Sequence, residues 1–209
     1  VNFACRIGKL SLKVIIMLFI RLLVLISPMM KWYIPVITVA PYTSDRLGRQ
    51  FLANASLDGI EEFAFADLAA TQSVAYLNIN NNSIGNWLPG AFEGLINLRY
   101  LHARSNGISE LVTGAFEGLV ALTLLDLRYN TITVIQPWSI ANLTQLLFLD
   151  LRNNELSHIQ PGVFDGLTSL EEISLDWNYI QVLQSGLFWR LSSLKSLDVD
   201  HNSIWNLTS

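Results

Sequence analysis

The sequence predicts an α/β-type solenoid, with a parallel β-sheet on its concave side and mostly irregular or short helical segments on its convex side. Two observations carry this expectation. Asn82, Asn106, Asn130, Asn154, Asn178 and Asn202 recur every 24 residues without an insertion or deletion. Around each of them the same apolar frame returns. About Asn154 it is Leu146, Leu149, Leu151, Leu156, Ile159, Phe164 and Leu167; about Asn178 it is Leu170, Ile173, Leu175, Ile180, Leu183, Phe188 and Leu191. A fixed period of this length belongs to repeats that stack, each coil burying the apolar ends its neighbours leave open.

Each element of the coil has a physical reason. Leu149 and Leu151 alternate with Asp150 and Arg152, which is the period of a short strand with one buried face. The asparagine then turns the chain, and its amide can both donate and accept hydrogen bonds. Inside a solenoid it can satisfy backbone groups that no sheet or helix reaches. The remaining apolar side chains close the coil, each worth roughly 1.5–3 kcal/mol when fully buried. One coil alone cannot offset its chain entropy; a stack can.

Residues 1–49 lie outside this pattern. Arg6, Lys9 and Lys13 precede an apolar run, Val14–Ile26, that Arg21 interrupts. The run is shorter than the roughly 20 apolar residues a spanning helix needs. Its positive flank and short apolar core have the character of a secretory signal or signal-anchor. A second, weaker segment follows from Met29, Met30 and Lys31 to Ala40, a candidate cleavage-site residue. A misread upstream translation and a transmembrane helix are the alternatives, and all three leave the region outside the solenoid. Thr43, Ser44, Asp45, Arg46 and Gly48 read as a polar linker. Residues 50–73 are expected to form a degenerate N-terminal capping coil. Asp58, 24 residues before Asn82, stands in its asparagine slot, with Ala53, Ala55, Ile60, Phe63 and Leu68 in the apolar ones. The array proper occupies 74–209, its last coil truncated, so that Ile204, Trp205 and Leu207 are expected to lack a covering neighbour and to favour self-association.

The convex slot reads Phe92, Phe116, Ile140, Phe164 and Phe188, usually within Gly-x-Phe-x-Gly-Leu, and 90–95 matches 114–119 residue for residue. With the 24-residue period, the chain resembles the "typical" subclass of the leucine-rich-repeat family, as in Toll-like receptors, Slit proteins and small leucine-rich proteoglycans. The resemblance is strong over 74–209 and weak over 50–73. It implies a horseshoe solenoid, a secreted or cell-surface location and protein–protein recognition. Extracellular members usually carry a cysteine-rich cap before the first coil, and this chain has no cysteine after Cys5.

Residues that alternate with the buried leucines face outward from the concave sheet and line up in columns. One column reads Asn80, Arg104, Arg128, Arg152, Asp176, Asp200, and beside it runs Asn78, His102, Asp126, Asp150, Ser174, Asp198. Flanking columns are Asn81, Ser105, Tyr129, Asn153, Trp177, His201 and Tyr76, Tyr100, Leu124, Phe148, Glu172, Ser196. Tyrosine, tryptophan and arginine are frequent interface anchors. The expected partner-binding surface therefore comprises Tyr100, His102, Arg104, Asp126, Arg128, Tyr129, Phe148, Asp150, Arg152, Asp176 and Trp177. Its rival is a solvated face whose arginines pair with Asp126 and Asp150 on adjacent strands.

Other function classes find little support. The net charge is −4 with 14% charged residues, and no basic run tracks a phosphate backbone, so nucleic acid is not expected as a partner. No serine or cysteine has a histidine and a carboxylate placed to serve it, and no glycine pattern cradles phosphate. Neither an enzyme nor a cofactor is expected, and Glu172, Asp176, Asp198 and Asp200 read as an acidic patch before they read as a cation site. Asn54, Asn81, Asn142 and Asn206 stand in Asn-x-Ser/Thr sequons, which become glycosylation sites if the chain is secreted. The expected function is recognition of a protein ligand on the concave sheet. Alternatives are a structural spacer, or the recognition module of a larger enzyme such as a receptor kinase. Membrane attachment would come through residues outside the array.

Overall fold

A computed structural model describes residues 49–60, 65 and 74–207. Positions 1–48 of the expected leader and linker, and Phe63 and Leu68 of the first coil, lie outside the described residues. Among the described residues no helix is long and apolar enough to cross a membrane.

Seven three-residue strands form one parallel sheet. In chain order they are β1 (Arg49–Phe51), β2 (Tyr76–Asn78), β3 (Tyr100–His102), β5 (Leu124–Asp126), β7 (Phe148–Asp150), β8 (Glu172–Ser174) and β10 (Ser196–Asp198). From β2 to β10 each residue pairs with the one 24 positions on, as Leu101 pairs with Leu125 and Leu125 with Leu149. The inward leucines and the convex side chains Phe92, Phe116, Ile140 and Phe164 are buried together in one continuous core. Phe92 stacks on Phe116 at 6.4 Å, Phe164 on Phe188 at 5.7 Å, and Trp87 meets Phe92 and Phe116 edge-on.

The asparagines form the expected ladder. Asn130 accepts at Oδ1 from the backbone N–H of Asn106 (2.8 Å) and Ile108 (3.2 Å) in the preceding coil. Its Nδ2 donates to the Ala103 and Leu127 carbonyls at 3.0 and 2.9 Å. Asn154, Asn178 and Asn202 donate in the same way, and each accepts from one N–H of the preceding coil, that of Ile132, Leu156 and Ile180. One rung is incomplete. Asn106 donates to Ile79 and Arg104, but its buried Oδ1 accepts nothing. At this rung the Gly85 N–H donates to the Asn106 backbone carbonyl at 2.9 Å, with Gly85 and Gly107 both at positive φ.

The first coil departs from the expectation in register. Arg49 pairs with Tyr76, 27 residues on, so this coil is three residues longer than the rest. Asn82 consequently reaches Ala55 and Leu57 N–H (2.9 and 3.1 Å) and the Leu52 carbonyl (2.9 Å). Ala55, not Asp58, occupies the asparagine slot, and Asp58 is exposed. Phe65, stacked on Phe92 at 5.5 Å, fills the convex slot. The signal lay in the sequence at the other spacing, since Phe65-x-x-Leu68 repeats Phe92-x-x-Leu95 at 27 residues.

On the convex side the irregular form of the two expected is the one found. Among the described residues it carries no helix; it is built of isolated turns and two two-stranded parallel sheets, β4 (Glu110–Leu111) with β6 (Val134–Ile135) and β9 (Val182–Leu183) with β11 (Asn206–Leu207). Bonds such as Glu93 N–H to Gly90 C=O and Leu95 N–H to Phe92 C=O close single turns. The glycines on either side hold positive φ, which stops a right-handed helix from propagating. At Gly166 a β-carbon would press on the Ala141 carbonyl, so the second glycine of the motif serves coil-to-coil packing as well.

Asn130→Ala strips two N–H and two C=O groups of partners and is expected to cost about 1–3 kcal/mol or more. Asn106→Ala, whose Oδ1 bonds nothing, should cost less, and Asp58→Asn should be silent. Thermal midpoints of the three variants check this ordering.

Candidate functional site

Residues two apart on a strand project from the same face, and this decides how the concave charges meet. Asp126 and Arg128 form a two-pronged pair within one coil, Nε to Oδ1 at 2.9 Å and Nη2 to Oδ2 at 2.8 Å. Asp150 and Arg152 repeat it at 2.9 and 2.8 Å. Contacts between coils are longer: Arg128 to Asp150 at 3.4 Å and Arg152 to Asp176 at 4.0 Å. His102 Nδ1 lies 3.4 Å from Asp126 Oδ2 at the other end. The result is one alternating chain, His102–Asp126–Arg128–Asp150–Arg152–Asp176, running diagonally across β3, β5, β7 and β8. The arginines thus bond chiefly to carboxylates of their own coil, and only more loosely to those of the adjacent strand.

Its two carboxylate extremes are opposite in character. Asp126 is 3% exposed. Burial works to raise its carboxyl, but hydrogen bonds from His102 and Arg128 outweigh it and hold the group well below the ordinary carboxylate range. The Asp126 carboxylate in turn raises Arg128, and Asp150 raises Arg152. Asp176 is 8% exposed, and the next coil carries Asp200 where an arginine would continue the pattern. Its Oδ1 accepts no hydrogen bond, and burial, with the Asp198 charge beside it, pushes its carboxyl up. Asp126 and Asp176, expected among the displayed residues, are therefore set below the surface.

Two residues before Arg104 stands a histidine, where Arg128 and Arg152 each have an aspartate. Among the described residues it has no carboxylate partner, and its guanidinium lies over the Tyr129 ring, 5.0 Å from the centroid. Tyr100, Phe148, Tyr129 and Trp177 are exposed beside the charges. Tyr76 tilts against Tyr100 and His102 at 6.3 and 5.0 Å. Between Phe148, Leu124, Glu172 and the paired arginines lies a shallow groove of about 220 Å³. Asp150 and Arg152 line it, so the structure assembles the central residues of the expected surface. Trp177 stands apart, on the turn that follows β8.

The flanking column hides a feature that sequence reasoning missed. Asn81, Ser105, Tyr129, Asn153, Trp177 and His201 all adopt left-handed backbone, with φ between 52° and 55°. Asparagine accepts this conformation easily, whereas for bulky residues it is an outlier. The conformation aims each N–H at the following coil, as Tyr129 does at Arg152 C=O (3.2 Å) and Trp177 at Asp200 C=O (3.0 Å). The sequence signal was Asn81 and Asn153 themselves, left-handed-tolerant residues preceding a ladder asparagine. The sequon residues Asn54, Asn81 and Asn142 are exposed and Asn206 is half-buried, while Asn81 borders the concave face as expected. Among the described residues no group of three or more histidine, cysteine, aspartate or glutamate side chains is placed to hold a metal ion.

The carboxylates carry opposite pH signatures. The lowered Asp126 contributes stability at pH values above its unfolded pKa of about 4, and that stability is lost as pH falls toward its folded value. Asp126→Asn is expected to cost about 1–3 kcal/mol at neutral pH, with the gap to the parent narrowing in acid. The raised Asp176 favours folding only when protonated, so its contribution is lost as pH rises. Asp176→Asn should be neutral or stabilising at pH 7. Thermal unfolding of both variants across about pH 3–7 checks the signs.

Comparison with known proteins agrees with this architecture. Family models described as "Leucine rich repeat" match residues 73–95, 96–156 and 148–204. No curated protein matches the sequence. Among solved structures the chain is similar to one titled "Crystal structure of TLR13-ssRNA13 complex", at 24% identity and a TM-score of 0.52. That match covers 70% of this chain and 28% of the other, so it speaks for the fold alone. With the family models spanning more than half of its length and the asparagine ladder in place, the chain belongs to the leucine-rich-repeat family.

Proposed function

We propose that the protein is a recognition module that binds a protein ligand on its concave sheet, as part of a secreted or cell-surface protein. The observation that carries this reading is Arg104. Among the described residues its fork holds no carboxylate, and it lies against the exposed ring of Tyr129. An arginine on an aromatic plane, beside further exposed rings, offers apolar area and a planar donor set at once. The paired Arg128 and Arg152 play a different part. One edge of each fork is held by an aspartate of the sheet, so they give a floor with little net charge, suited to a mixed epitope more than a strongly acidic one. A nucleic acid fits poorly, given the net charge of −4 and the acidic end formed by Glu172, Asp176, Asp198 and Asp200. Exposed sequons at Asn54, Asn81 and Asn142 support passage through the secretory pathway.

One observation favours the spacer as second reading: two of three concave arginines are satisfied internally, as in a solvated face that binds nothing. Affinity capture from secreted and surface proteins, followed by measurement on variants, separates the two. Arg104→Ala and Tyr129→Asn are each expected to weaken binding by about 1–2 kcal/mol. Asparagine at 129 suits the left-handed backbone, so folding is kept. Val120→Ser, on the exposed convex side, serves as the silent control. Gln136 is unsuited to that role, because it bonds Thr113 and Glu110 across coils. Loss of binding in the convex variant with both concave variants intact refutes the concave-face reading.

A further inference from the structure

Beyond the concave sheet, at the turn that carries the left-handed column, lies a second cleft of about 320 Å³. Its walls are Asn153, Glu155, Trp177, Tyr179 and His201, and its floor is the ladder asparagines Asn130, Asn154 and Asn178. We infer that this cleft is a binding site for a neutral carbohydrate, a pyranose ring stacked on Trp177 with its hydroxyls bonded by Asn153 and Glu155.

The inference rests first on which groups are spent. The concave groove consumes its donors and acceptors in mutual ion pairs, whereas in this cleft the Asn153 amide, the Glu155 carboxylate and the Tyr179 hydroxyl have no side-chain partner among the described residues. An amide and a carboxylate side by side can donate to one hydroxyl of a sugar and accept from the next. A second ground is the rings. Trp177 is 53% exposed and Tyr179 60%, and both border the cleft. His201 stacks on one face of the indole at 4.0 Å and 6°, which holds a ring that remains half exposed. A rigid aromatic face beside a few placed polar groups is the lining that small-ligand sites show. The C–H face of a sugar with equatorial hydroxyls matches such a plane.

Backbone cost points the same way. Trp177 holds φ 55° at a position that asparagine fills in the coil before it, as Asn153. The ladder requires this backbone in every coil, but it does not require a bulky side chain there, and an indole held on it is a costlier choice than asparagine. Electrostatics selects the ligand class. Glu155 lines the cleft, Asp200 is exposed two residues beyond the strand in the next coil, and Asp176 precedes Trp177 directly. These carboxylates repel phosphate, so an uncharged polyol is favoured over a nucleotide or a nucleic-acid strand. This site is separate from the concave surface and does not depend on the reading given for it.

The test is titration of the full chain with cellotetraose and chitotetraose, followed by NMR at the indole N–H of Trp177, which its loss in Trp177→Asn assigns. A glycopeptide bearing a chitobiose core, beside its deglycosylated form, distinguishes a glycan on a partner from a free oligosaccharide. Saturable shifts with a sugar probe are expected. Trp177→Asn, which relieves the backbone, should keep or raise the thermal midpoint while weakening binding by at least about tenfold. Tyr179→Ser, at an exposed position, and Glu155→Gln should each weaken it several-fold, with Arg104→Ala without effect. Absence of saturable shifts with every sugar probe up to about 10 mM, or unchanged affinity in Trp177→Asn, overturns the proposal. So does tighter binding of a single-stranded oligouridine that Trp177→Asn abolishes.

Discussion

A buried asparagine amide that closes backbone hydrogen bonds in two coils at once is the interaction on which the rest of this structure depends. At Asn130 the amide accepts from two N–H groups of one coil and donates to carbonyls of that coil and its own. A turn of the chain in the interior of a protein would otherwise carry unpaired polar groups, each costing about 1–3 kcal/mol. The side chain removes that cost only if the preceding coil stands in strict register. Register in turn stacks the strands, aligns the columns and brings the convex phenylalanines face to face. The incomplete rung at Asn106 shows the dependence from the other side. At this rung the amide oxygen goes unmatched while the core around it stays closed.

The ladder also dictates the surface. To aim the asparagine inward, the residue before it turns left-handed, and whatever stands there is thrust outward as a bulky, fixed group. Tyr129, Trp177 and His201 are therefore presented on stiff backbone rather than on mobile loops. On the sheet itself the two-residue period places each aspartate beside the arginine of its own coil. Charge neutralisation within a coil therefore prevails over pairing between coils, and the column of three arginines separates into two paired groups and one, Arg104, that turns to an aromatic ring.

The network of alternating charges is directional. It starts at His102, passes through the deeply held Asp126, and ends at Asp176, where the next coil supplies another carboxylate in place of a cation. The concave sheet thus grades from a neutralised middle to an acidic end. The two regions suit different chemistry: apolar and planar contact in the middle, neutral polar ligands near Trp177.

The sequence by itself determined the coil. A 24-residue spacing of asparagine, with leucines at alternating positions, admits one stacking, and the parallel sheet, the core and the outward columns follow from it. The interval failed where Asp58 was given the slot that Ala55 holds, because the 24-residue period was carried into a coil whose own spacing from its neighbour is 27. Periodicity left the convex side open between irregular and short helical segments, and in three coils paired glycines at positive φ decide for the irregular form. Only the tertiary structure decided how the exposed residues spend their bonds. Periodicity places Arg104, Arg128 and Arg152 in one column and cannot tell that one turns to an aromatic ring while two hold carboxylates. Nor can it show that Trp177 is fixed by His201 over an open cleft. Such outcomes depend on side-chain rotamers and on distances between coils, and those exist only once the stack has closed.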